Sequence, residues 1–125
     1  MATQSQVRRI ALSLPLTSEH ESHFAFSVLN GKKYKGFAWI WMERVSPGKP
    51  RAPCPEVLAV RVANLDAKEA LLMADQRTFF TEPHYDGYPA VLIRLKEIRV
   101  AELRVLLTDA WAVQAPKAMH AKLAK

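Results

Sequence analysis

FFTEPHYDGYPAVLIRL, Phe79 to Leu95, decides how this chain is read. Two aromatics, the triplet His84-Tyr85-Asp86, a Gly87-Tyr88-Pro89 turn and the apolar run Ala90 to Leu95 follow one another without a gap. A short apolar run bounded by Gly and Pro is a buried strand. Aromatic and titratable side chains gathered at its start make either a packed corner or a recognition surface.

The flanks of this segment are helical. Upstream, Asp66 is expected to cap a short helix, with Glu69 three residues on and Ala67, Ala70, Leu71 and Ala74 as its buried stripe. Downstream, Leu103, Leu106, Leu107, Ala110 and Trp111 share one face of a helix from about Ala101 to Gln114. Pro116 breaks that helix and starts a short terminal one, Lys117 to Leu123.

Further upstream lies a hairpin. Phe24, Phe26 and Val28 alternate with smaller residues, Asn30-Gly31 is a two-residue turn signal, and the return strand runs from about Tyr34 to Glu43. Period two puts Phe37, Trp39 and Trp41 on one face and Ala38, Ile40 and Met42 on the other, so this strand is central, with Gly36 as a candidate bulge. The stretch SPGKPRAPCP holds half of the prolines and reads as a loop, after which Glu56 to Val62 returns to the sheet. At the start of the chain, Thr3 and Gln6 form a capping box for a helix lined by Val7, Ile10, Ala11 and Leu14 and ended by Pro15, with Arg8 and Arg9 in solvent. The result is an α+β fold in the order α-β-β-β-α-β-α, an antiparallel β-sheet backed by helices, in a single domain over residues 1–125.

Composition narrows the functional classes. Half of the 125 residues are hydrophobic, yet no apolar run reaches membrane length, and no secretory signal is visible. The single Cys54 excludes an internal disulfide, and the flanking prolines suggest an exposed, unactivated thiol. The expected setting is cytoplasmic, with no membrane association and no cofactor. The net charge of +6 is unevenly spread: Gly31 to Arg51 holds six basic residues against Glu43 alone, whereas Asp66 to Asp86 holds five acids and two bases. Such asymmetry attracts polyanions to one surface, although lysines on hairpins also serve solubility.

The segments VRRIALSLP, FAFSVLNGKKYKGFAW, FFTEPHYDGYPAVLIRL and DAWAVQAPK, taken together and in this order, resemble the MmcQ/YjbR family, whose fold is related to that of the frataxin-like (CyaY-like) proteins. The resemblance extends over nearly the whole chain. It implies a predicted DNA-binding protein with a double-wing arrangement. Two departures stand out. Family members often carry Gly where this chain has Leu16, and Gly-His-Pro where it has Ser22-His23-Phe24.

Two sites follow. In the first, Lys32, Lys33 and Lys35 with Tyr34 form a wing-like hairpin tip, and Lys49, Arg51, Lys117 and Lys122 add to its field. Binding there would act through counterion release, so DNA is expected to bind weakly and without sequence preference. The alternative is a ligand or protein-partner pocket formed by His84, Tyr85, Asp86, Tyr88 and Trp111. His20, Glu21 and His23 have the wrong interval for a helical metal motif and are expected to face water. Trp39, Trp41 and Trp111 are expected in the core. No complete set of nucleophile, base and charge stabiliser is present, which points away from catalysis.

Overall fold

A computed structural model describes residues 2–43 and 52–120, with the backbone alone at residues 43, 52, 53 and 84. The proline-rich loop with Lys49 and Arg51, and the tail with Lys122 and Leu123, lie outside the described residues.

The chain begins with helix α1 (Gln4–Ser13). Its capping box is formed: the Gln6 amide donates to Thr3 Oγ1 at 3.2 Å, and Thr3 N donates to Gln6 Oε1 at 2.9 Å. Val7, Ile10, Ala11 and Leu14 are buried, and the helix ends where Leu14 turns extended before Pro15. Leu16 then takes φ +58°, the left-handed region, and is the only non-glycine to do so among the described residues. This turns the chain into β1 (Thr17–Glu19), a three-residue strand too short to carry a period in the sequence.

The main hairpin follows as β2 (Ala25–Asn30) and β3 (Lys33–Glu43), then β4 (Ala52–Arg61), helix α2 (Leu65–Ala74), the two-residue β5 (Phe79–Phe80) and β6 (Ala90–Arg94). Helix α3 (Val100–Gln114) and the single turn α4 (Lys117–His120) complete the fold. The strands form one six-stranded sheet in the order β1-β2-β3-β4-β6-β5, with every neighbouring pair antiparallel. The expected α+β fold is therefore the one observed, with β1 and β5 added at the two edges. No helix among the described residues is long and apolar enough to cross a membrane.

Several local expectations are corrected. The hairpin loop is Gly31-Lys32 rather than Asn30-Gly31, because Asn30 pairs with Lys33 and only Gly31 has positive φ, at +67°. Strand β4 starts at Ala52, so part of the proline-rich stretch is strand: Met42 lies opposite Pro53 and Trp41 opposite Cys54. Proline is tolerated there because β6 pairs with β4 only from Val57 to Arg61, so the earlier residues need no donor on that side. Cys54 is accordingly half-buried in a strand rather than exposed in a loop. Asn64, not Asp66, caps α2, its Oδ1 accepting from Ala67 N at 2.8 Å. The buried residue of that helix is Lys68, while Ala70 and Ala74 are exposed along a groove of about 700 Å³ between α2 and α3.

The largest correction concerns β3. Ser27 pairs with Gly36 but Phe26 with Ala38, which leaves Phe37 as an extra residue beside Gly36. Phe37 and Ala38 both enter the main core, so outward positions change from even-numbered (Tyr34, Gly36) to odd-numbered (Trp39, Trp41). Phe37 therefore does not share a face with the two tryptophans. The main core joins the sheet to the helices through Phe26, Phe37, Leu58, Ile93, Leu103, Leu107 and Trp111. On the opposite face, Val57, Ala59 and Leu92 are covered by half-buried Trp39, Trp41, Cys54, Phe80 and Tyr85.

Candidate nucleic-acid interface

Besides the core packing of Phe26 and Phe37, the hairpin is hydrogen-bonded to the helical layer through Gln114. Asn30 Nδ2 donates to the Gln114 carbonyl at 2.9 Å, and Gln114 Nε2 donates to the Gly36 carbonyl at 3.0 Å. Gln114 thus ties both strands of the hairpin to the end of α3. Lys117, exposed at the start of α4, comes three residues later.

Strand pairing sets where the hairpin side chains point. Lys35 lies opposite Val28, which is buried in the main core, so Lys33 and Lys35 project on the helix-bearing side. Tyr34 lies opposite Leu29 and projects from the other face, 59 % exposed. The expected combination of cations and a stacking ring at one tip is therefore split across the sheet. Lys32 occupies the turn itself. Lys32, Lys33, Lys35 and Lys117 are exposed, and none is ion-paired among the described residues.

The signature segment is a pinned corner. Residues Pro83–Tyr85 form a turn of 3-10 helix, followed by a Tyr85–Tyr88 turn in which Asp86 (φ −61°, ψ 131°) precedes Gly87 (φ +77°). These are the angles of a type II turn, whose third position favours glycine. Lys68 reaches under this turn from α2 and donates from Nζ to the carbonyls of Tyr85 at 2.6 Å and Tyr88 at 3.0 Å. It is 5 % exposed. Burial lowers its pKa below the ordinary lysine value, partly opposed by the nearby Asp86 carboxylate. Lys68 is not marked as buried by the sequence, because a lysine in an alanine-rich helix reads as surface. Its position between Leu65 and Leu72, at helical spacing, was the one available signal.

The alternative pocket does not assemble as expected. Trp111 is fully buried in the main core with Nε1 donating to the Pro15 carbonyl at 2.8 Å, whereas Tyr85 packs on the opposite face of the sheet. Tyr85 Oη there receives the Trp39 Nε1 hydrogen at 3.0 Å. Tyr88 is 42 % exposed and lies under the Arg61 guanidinium. A cavity of about 330 Å³ does touch the turn, lined by Lys68, Thr81, Asp86 and Gly87 together with side chains of α2. The His84 side chain lies outside the described atoms. His20 and His23 stack on each other, ring centroids 3.8 Å apart, and Ser22 engages both Nδ1 atoms. Among the described residues no three His, Cys, Asp or Glu side chains converge as metal ligands.

Fold and surface together define a small α+β sheet protein with a fixed basic hairpin. No protein-family model matches the chain. Uncharacterized protein Rv2570 of Mycobacterium tuberculosis and uncharacterized protein Mb2600 of Mycobacterium bovis are each 40 % identical to it over 123 residues, covering 94 % of this chain and 92 % of theirs. The chain belongs to the family of these mycobacterial proteins. Among solved structures it resembles Deinococcus radiodurans protein DR2400, of domain family DUF419, with a TM-score of 0.69 at 19 % identity over 99 % of this chain and 89 % of that one.

Proposed function

We propose that this is a non-enzymatic nucleic-acid-binding protein of the MmcQ/YjbR type, whose basic hairpin contacts phosphates weakly and without sequence preference. The supporting observation is the clamped hairpin: Lys32, Lys33 and Lys35 are exposed, without an ion pair among the described residues, on a support that Gln114 holds, with Lys117 beyond its end. Fixed cations gain from counterion release without the cost of ordering a mobile loop. Phosphate contacts of this kind position a strand but read no bases.

The test is fluorescence anisotropy of labelled duplex and single-stranded DNA against salt. Four lysines contacting duplex phosphates would give a log–log slope of roughly −3.6, and fewer contacts a shallower one. Combined reversal, Lys32→Glu, Lys33→Glu and Lys35→Glu, is expected to cut duplex affinity and flatten its salt dependence. Unchanged affinity after reversal removes the hairpin from the account, and no binding of either DNA at low salt removes the function.

A further inference from the structure

The face of the sheet turned away from the helices carries a second set of cations and rings. Trp39 and Trp41 lie two residues apart on β3, about 6.7 Å along the strand. Both are only half-buried. Trp41 meets Phe80 edge to face at 5.9 Å, and the Arg94 guanidinium lies 4.1 Å from the Phe80 ring centroid. Arg94 Nη1 is steadied by the carbonyls of Gln76 and Arg77, and no carboxylate pairs with it among the described residues. Across the face, Arg61 lies 5.5 Å from the Tyr88 centroid. Its Nε is buried and has no acceptor among the described residues. That nitrogen is closed to solvent, so a ligand can meet Arg61 only through the rest of its half-buried side chain.

We propose that this face binds single-stranded nucleic acid, with bases stacking on the exposed sides of Trp41 and its neighbouring rings and phosphate oxygens accepting from Arg61 and Arg94. The inference rests on the nucleic-acid reading above and adds the class of substrate. Two guanidiniums lying over aromatic rings call for a ligand in which anions and flat rings alternate, and a nucleotide strand has that composition. A duplex does not fit, because its bases are already stacked and paired. Aromatic platforms of this kind tolerate any base, since each presents a π-face. Of the hairpin lysines, Lys32 in the turn itself is the one placed to meet the same strand, since Lys33 and Lys35 project on the helix-bearing side.

The experiment compares a labelled thymidine 20-mer with a 20-base-pair duplex at one salt concentration, using the full chain. The 20-mer should bind at least 10-fold tighter and quench tryptophan emission from Trp39 and Trp41, with buried Trp111 as the unquenched background. Trp41→Leu should weaken the 20-mer by roughly 5- to 150-fold, the span measured for losing one stacking ring, and leave the duplex unaffected. Arg94→Gln, at an exposed side chain, should weaken it several-fold and guards against misfolding of the tryptophan variant. Equal binding of both DNAs, unchanged in Trp41→Leu and Arg94→Gln but cut by hairpin reversal, overturns this inference and leaves the hairpin reading standing. No binding of either DNA overturns both. Absence of quenching with a dimer in sedimentation that Trp41→Leu breaks assigns the face to a second copy and also overturns it.

Discussion

Replacing Lys68 with methionine should destabilise the protein by about 2 kcal/mol. Two bonds from Nζ are lost, at 2.6 and 3.0 Å to the carbonyls of Tyr85 and Tyr88. Charge-assisted hydrogen bonds contribute roughly 1.5–3 kcal/mol each. Neither oxygen is orphaned by the change, since Tyr85 O keeps the Tyr88 amide at 3.0 Å and Tyr88 O keeps the Ala90 amide at 2.8 Å. Relief from burying an ammonium offsets part of the remainder. Methionine preserves the apolar stem, so little packing is lost. For 125 residues an unfolding entropy of about 0.26 kcal/mol/K turns 2 kcal/mol into a fall of about 8 °C in Tm.

Urea denaturation of both proteins, followed across pH, checks the magnitude and its cause. The folded pKa of Lys68 lies below its ordinary value of 10.5. Between the lowered value and 10.5 the unfolded chain holds a proton that the folded one has released, so stability rises with pH through that interval. Lys68→Met lacks this group while keeping every other one, so the advantage of the parent protein should widen as pH approaches 10.5. A difference within about 0.5 kcal/mol at neutral pH, or a gap that narrows with rising pH, refutes the reasoning.

Two further outcomes follow from the backbone and the surface. Leu16→Gly should raise the urea midpoint: the left-handed conformation costs a non-glycine residue about 1–2 kcal/mol, the side chain is 46 % exposed, and the added entropy of glycine returns about 0.5–1 kcal/mol. On the acid side, the Glu19 carboxyl is held below its usual value by hydrogen bonding to Arg8, and that of Asp75 by the Thr78 hydroxyl. Both contribute stability above the unfolded carboxylate range that is lost as pH falls through their lowered values, so Arg8→Gln combined with Thr78→Val should flatten the acid limb of a denaturation profile.

Most of the fold was legible because its signals are local. The Thr3–Gln6 box, the Val7 to Leu14 stripe, the strand from Ala90 and the α3 stripe all rest on residues within one element. The Gly at position 31 marked the hairpin but placed its turn one residue early, because Asn30 spends its side chain on Gln114 rather than in the turn. What stayed hidden depends on partners far along the chain. Gly36 did mark the bulge, but the period-two reading ran straight through it and so put Phe37 on the tryptophan face, and nothing near Lys68 announces two carbonyls 17 and 20 residues away. The resemblance carried one unrecognised structural message: glycine is frequent at the position of Leu16, where the backbone is left-handed.

The extra residue at position 37 also separates two properties of the hairpin. A chain without Phe37 could keep every strand pair on either side of it, from Lys33 to Gly36 and from Ala38 onward. It would lose one buried ring and the added local twist that a bulge imposes. The lysines that give the hairpin its charge all lie on the tip side of that residue. Aim and charge are thus encoded independently, the first in one buried phenylalanine and the second in surface positions that can change without repacking the core.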